Sequence, residues 1–189
     1  MLDIDTVFPM KVDWLRDNSE LVHYFGLGFI QLKLNKEYRL HFYTPELPPI
    51  VPEEDVHNHR YDFTSMVLKG IFAQEVYEVL SNENTHIMEE ESCNPDVKCE
   101  SAGIPCGVKL ASRQTYYPGS KYWIDHDIFH RVVNEGECIT LLRRTDYKKK
   151  FAKVIRKKDA ERVCPFSKKV EEGKLWEIIE RMTNAKMAA

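Results

Sequence analysis

The chain has 189 residues, 43% hydrophobic, 11% aromatic and 30% charged, which suits one globular domain, is short for two, and is too rich in aromatic side chains for a disordered chain. Its 27 basic and 30 acidic side chains leave a net charge of -3, which excludes the basic footprint of a nucleic-acid binder. No apolar run reaches the ~18 residues of a bilayer span, the start Met1-Leu2-Asp3-Ile4-Asp5 is acidic where a signal peptide is basic, and five cysteines without a Cys-x-x-Cys pair read as reduced thiols, so the expectation is a cytoplasmic protein without membrane or nucleic-acid partners.

Val12 to Phe25 sets Val12, Leu15, Leu21, Val22 and Phe25 among polar residues, with Asn18 or Ser19 as a cap and Gly26 as a stop, the pattern of one or two short helices. From Phe29 to Leu34 and from Tyr38 to Tyr43 the period changes to alternation, as in a hairpin turning at Asn35-Lys36-Glu37. Four prolines between Pro45 and Pro52 forbid a regular element there. Short strand-like runs follow: Val56 to Phe63, Ser65 to Lys69, Phe72 to Leu80, Thr85 to Glu90, Val108 to Tyr116, Lys121 to Ile124, His130 to Val133 and Cys138 to Arg143. Turn residues such as Gly70, Pro118-Gly119-Ser120 and Asn134-Glu135-Gly136 punctuate them, which predicts an antiparallel sandwich or barrel.

Ser92 to Gly107, with Cys93, Cys99 and Cys106, has no period and reads as a loop; its cysteine spacing is not a usual zinc pattern. After residue 146 comes a basic run, Lys148 to Lys158, in which Phe151, Val154 and Ile155 interleave as on a solvated edge strand. Cys164-Pro165-Phe166 and an amphipathic helix close the chain, with Leu175, Ile178, Ile179 and Met182 at i, i+3, i+4 and i+7 and a fraying end at Ala185 to Ala189. The expected organisation is a single domain over 1–189: a core at 27–146, an N-terminal helical segment at 1–26, and a C-terminal basic strand and helix at 147–189.

Four of the seven histidines lie in two short windows. In Val56-His57-Asn58-His59-Arg60-Tyr61-Asp62-Phe63 a strand would aim His57 and His59 at the same face. In Tyr122 to Asn134 a strand, a turn and a second strand would return His130 beside them. His57-x-His59 followed by Gly70, and His130-x-x-x-Asn134, resemble the two metal-binding motifs of the cupin superfamily over about residues 56 to 143. The resemblance implies an all-β cupin jelly-roll barrel, a double-stranded β-helix, with the N-terminal and C-terminal helices packed outside. It also implies a metal held by His57, His59 and His130. Where many cupins carry a glutamate ligand this chain has Phe63, and Asp62 beside it points to the other strand face. Three imidazoles suit Fe(II), with Zn, Mn or Ni as alternatives. That ligand set, and the His130-Arg131-Val132 stretch, are similar to the thiol dioxygenases, which includes the cysteine dioxygenase group.

The leading expectation is a mononuclear metalloenzyme that oxidises a small molecule, a thiol among the options, with Fe(II) and O2. The alternatives are a metal-dependent isomerase or lyase of the same fold, and a non-catalytic module that holds a small ligand or a protein; a homodimer is a further option. Arg39, Arg60 and Arg143 are candidates to hold a substrate carboxylate, and Tyr116 or Tyr117 to supply a phenol. Phe63, Ile124, Phe129 and Leu141 are candidates for an apolar wall. Asp62 and Asp125 are candidates to orient a ligand imidazole. His126 reads as a turn residue, His41 as lining the barrel mouth or exposed, His23 and His86 as surface residues, and Asn134 as structural.

Overall fold

Leu21 to Phe25 does not continue a helix. In the computed structural model, which describes residues 11–50, 56–92, 102–134, 136–161, 163 and 168–184, α1 covers Val12–Asn18 and ends where Ser19 turns extended. β1, Leu21–Phe25, then pairs antiparallel with β2, Phe29–Lys33. The apolar spacing suits either period, and pairing decides it: Tyr24 meets Ile30 and Val22 meets Leu32 on a face that the C-terminal helix covers.

The remaining strands are β3 Tyr38–Tyr43, β4 Val56–His57, β5 Phe63–Lys69, β6 Phe72–Leu80, β7 His86–Glu91, β8 Ile104–Tyr116, β9 Lys121–Ile124, β10 Phe129–Val133, β11 Cys138–Arg144 and β12 Ala152–Lys157, followed by α2 Glu172–Asn184. One six-stranded sheet runs β1-β2-β3-β11-β5-β9, and the other six strands close into a barrel in the order β10-β4-β12-β7-β8-β6. The described residues are therefore mostly β, with a closed barrel and two helices outside a sheet, the all-β class the strand pattern implies.

The open sheet has two different faces because its strands alternate. Tyr24, Ile30, Leu40, Phe42, Ile139 and Leu141 pack under Leu15 of α1 and the buried Leu175, Ile178, Ile179 and Met182 of α2. The i, i+3, i+4, i+7 stripe is thus the face the helix buries, and truncating Ile179 to Ala would cost about 2–5 kcal/mol. The other face carries polar cross-strand rows. His23 pairs with Gln31, Gln31 with His41 and His41 with Thr140; one row along, Arg39 pairs with Leu142 and Leu142 with Ser65.

The closed barrel has its own small core of Val56, Cys106 and Ile155, with Met88, Val79 and Phe129 against it. Two expectations change here. β12 is paired on both sides, with β7 and β4, so the basic run enters the barrel and is not a solvated edge. Arg156 within it is buried and bonded to Glu91 at 2.8 Å. β8 starts at Ile104 because Ile104, Pro105 and Cys106 pair with β7, so the preceding loop is shorter than its composition implies. Cys93, Cys99, the Cys164-Pro165-Phe166 stretch and the end at Ala185 to Ala189 lie outside the described residues.

Gly70 turns β5 into β6 at a φ of 77°, and a Cβ there would lie 2.0 Å from the Glu137 carbonyl. Only glycine fits such a backbone and such a contact. The motif glycine is therefore a consequence of β5 and β6 turning tightly against the start of β11.

Candidate metal centre

β4 is only two residues long, so His57 and His59 do not share a continuous strand. Asn58, buried between them, substitutes its side chain for the ladder: its N–H donates to the Lys153 carbonyl at 3.0 Å, and its Oδ1 accepts from the Lys153 N–H at 2.7 Å. This keeps the segment on β12 while the chain leaves the regular pleat. His57 is the direct cross-strand partner of His130 on β10.

The three rings form a nearly equilateral triangle, with centroids 5.1 Å (His57 to His59), 4.9 Å (His57 to His130) and 5.0 Å (His59 to His130) apart. One ring nitrogen from each lies within 4.8 Å of the others, and His59 Nε2 sits 2.8 Å from His130 Nε2. Two imidazoles at right angles on an ion with metal–nitrogen bonds of about 2.0–2.1 Å have nitrogens about 2.9 Å apart. Burial holds both His59 and His130 well below the ordinary histidine pKa, reinforced by the neighbouring histidines and, for His59, by Arg39. Both rings are therefore neutral at pH 7 and offer lone pairs, the form that ligates a divalent cation. Donor chemistry, charge state and spacing all fit such an ion.

Phe63 stands edge-on to His59 at 4.9 Å between centroids and lies 6.0 Å from His130, so an apolar ring occupies the place of a carboxylate. It packs with Tyr61, Ile124 and Leu142. Of the proposed wall, Phe63 and Ile124 belong to this cluster. Phe129 turns into the barrel core, opposite Tyr77, and Leu141 turns to the helices, because each sits one residue out of phase with the site.

Asp62 does not orient a ligand imidazole. Its Oδ1 accepts from the His126 amide at 2.9 Å and lies 2.6 Å from His126 Nδ1. Asp125 Oδ1 is 3.4 Å from the same ring nitrogen, and Lys149 Nζ bonds the His126 carbonyl at 2.8 Å and Asp127 at 2.9 Å. Desolvation raises the Asp62 pKa, but the His126 donors and Lys148 outweigh it and leave the carboxyl below its ordinary value. The pair ties the segment just after His59 to the turn just before His130.

Arg39 on β3 donates to the Tyr61 hydroxyl at 2.7 Å, and the Tyr61 ring lies 5.5 Å from that of His59. Arg60 instead turns away and stacks on Tyr147, 4.4 Å from the ring centre. Arg143 is exposed and paired with Glu37. Tyr116 donates to Gln114 at 2.9 Å and stacks on Tyr122, which in turn meets Phe63 at 6.3 Å, so two rings separate Tyr116 from the histidines. Tyr117 is exposed. Asn134 bonds the Gly136 carbonyl within its turn.

His41 is buried on the inner row, and its pKa is pushed down to about 3 by burial, then by Arg39 and His23. Its Nε2 lies 3.2 Å from Gln31 Nε2. His23 is half-buried on the same row, not a surface residue, with a lowered pKa from burial and Arg39. Sequence reading passes over Tyr61, although it stands two residues after His59, and over the buried Gln74 and Glu75 on β6. Glu75 binds Arg131 at 2.6 Å and Tyr77 at 2.5 Å. Gln74 lies opposite Val132, on the face that carries His130.

Comparison with solved structures finds distant likenesses. Protein NMB1881 from Neisseria meningitidis is 12% identical, with 69% of this chain and 96% of that one covered and a TM-score of 0.34. Hydroquinone 1,2-dioxygenase from Sphingomonas sp. TTNP3 with 4-hydroxybenzoate bound is 12% identical, with 60% of this chain and 62% of that one covered and a TM-score of 0.32. No protein-family model and no curated protein matches the chain. The site's own geometry, a β-barrel with three converging histidines, fits a cupin fold.

Proposed function

We propose that the chain is a mononuclear metalloenzyme of the cupin type that carries out the O2-dependent oxidation of a small molecule on Fe(II). The observation that carries the reading is the triangle of His57, His59 and His130 with Phe63 beside it. Three imidazoles without a carboxylate occupy at most half of an octahedral ion and leave adjacent positions for substrate and oxygen. When bound, the ion would supply the redox chemistry and the close approach of the two reactants. The protein's own part is to hold the ligands and keep water away. Phe63, Ile124 and Leu142 line the site with carbon, and Arg39, fixed on Tyr61, is positioned to hold an anionic end of the substrate. A small thiol is the narrower substrate reading, by similarity to the thiol dioxygenases.

Oxygen consumption tests it. Protein loaded with Fe(II) is expected to consume O2 in proportion to product from a panel of small thiols and phenols, and the His57→Ala variant is not. Turnover that persists under strict anaerobiosis would replace this reading with a Lewis-acid isomerase or lyase, for which Zn(II) would serve equally well.

A further inference from the structure

Outward from Tyr61, which touches His59, three arginines and two tyrosines alternate. Arg39 lies 5.2 Å from the Tyr61 ring centre, Arg144 lies 5.5 Å from Tyr61 and 4.4 Å from Tyr147, and Arg60 lies 4.4 Å from Tyr147. The two phenol rings are 5.9 Å apart. These cation–π contacts hold the guanidinium groups against the rings but neutralise none of them. Among the described residues no carboxylate lies within 4.0 Å of any of the three. Glu37 is engaged by Arg143 and Asp62 by His126. The Nε of Arg39, of Arg60 and of Arg144 is buried with no hydrogen-bond partner. The bonds they do make go to neutral oxygens, from Arg39 to the Tyr61 hydroxyl and from Arg144 to the Thr145 carbonyl at 2.9 Å. Of the three, Arg144 alone lines a surface groove of about 410 Å³, together with Lys36, Glu37, Phe63, Arg143 and Asp146.

Three cations linked through two neighbouring phenol rings, each with a buried Nε donor that no protein acceptor meets, offer an anion both charge and hydrogen bonds. We propose that Arg39, Arg60 and Arg144 form an anion site that takes the phosphate group of a small molecule. The donor count favours phosphate over carboxylate: its three terminal oxygens give each guanidinium an acceptor, whereas a carboxylate has two oxygens to share. Tyr61, which touches both Arg39 and His59, joins this site to the histidines. That the phosphate marks the polar end of the substrate rests on the metalloenzyme reading; the anion site itself does not.

Calorimetric titration of the full-length chain with inorganic phosphate and pyrophosphate, at fixed ionic strength, tests the site. Phosphate is expected to bind at least tenfold more tightly than acetate or chloride. Arg144→Gln and Arg60→Gln should each weaken it about tenfold or more, while Arg143→Gln, whose side chain is already paired, should not. Equal binding of phosphate and chloride, or Arg144→Gln binding phosphate as well as the parent with an unchanged melting temperature, would overturn the site. Malonate binding more tightly than phosphate would overturn the phosphate class. Bound metal, measured on the parent protein, separates the two readings: no phosphate binding by the metal-bearing parent refutes only the anion site, and phosphate binding by a parent that takes up no metal refutes only the metal centre.

Discussion

His57 and His130 are direct cross-strand partners on β4 and β10, with ring centroids 4.9 Å apart. That single residue pair is the whole register between the two strands, and it is the narrowest seam of the barrel. An ion shared by these rings would staple the seam. Metal at about 100 times its dissociation constant should therefore raise the unfolding free energy by about 2.7 kcal/mol, and chelation should speed amide exchange in β4 and β10. The increment should vanish in His57→Ala, as read by denaturant titration with and without metal.

Asp62 is expected to act on the metal through His126. It joins the segment after His59 to the turn before His130, so its loss lets the two ligand-bearing segments move apart. Asp62→Asn should keep a bond to the His126 amide and lose metal affinity modestly, whereas Asp62→Ala should lose about 10- to 100-fold, the range for partners that orient metal-binding groups. Competition against a chromogenic chelator measures both. Equal affinities in all three proteins would show that the clamp serves the fold only.

Stability should fall with acid through His41. Its pKa drops from 6.5 to about 3 on folding, so the neutral form is favoured in the native state. A depressed pKa means that the unfolded chain binds the proton first as pH falls. The contribution is then complete above the ordinary value of 6.5 and is lost progressively toward pH 3, at about 1.4 kcal/mol per pH unit. Denaturant titrations between pH 6 and pH 4 should give a slope flatter by about that amount in His41→Gln than in the parent.

Glu75 anchors a second region. It is buried, bonded to Arg131 and Tyr77, and 3.5 Å from Arg113. Glu75→Gln would replace the buried carboxylate's charged bond to the partly exposed Arg131 with a neutral one and should cost about 1–3 kcal/mol. Burial pushes the Glu75 carboxyl up, but the Tyr77 and Arg131 bonds prevail and its pKa lies below the ordinary 4.5. The stabilisation is present above that value and disappears as pH falls below it, so the variant and the parent should converge in strong acid.

Local alternation and turn residues reveal the strands, because a strand buried on one face must repeat every two residues. The α2 stripe is equally legible, since Leu175, Ile178, Ile179 and Met182 have one face to bury. The histidine triangle is legible because His-x-His and His130-x-x-x-Asn134 are short patterns with a fixed geometry. Pairing partners are not written locally. Leu21 to Phe25 suits a helix or a strand until β2 lies beside it, and the basic run Lys148 to Lys158 looks like a solvated edge until β4 and β7 flank its Ala152–Lys157 strand. Phase explains Phe129 and Leu141, apolar residues one position away from the face that holds the site. The Arg39, Arg60 and Arg144 row joins residues from β3, the segment after His59 and the end of β11, contacts that only the closed fold creates.

The most direct test of the metal centre is elemental analysis with X-ray absorption at the metal edge, on protein purified without a polyhistidine tag. The account predicts close to one equivalent of a first-row divalent metal, with three imidazole nitrogens at about 2.0–2.2 Å and loss of the ion in His57→Ala and His130→Ala. Less than about a tenth of an equivalent after reconstitution, or a content unchanged by either substitution, would contradict it.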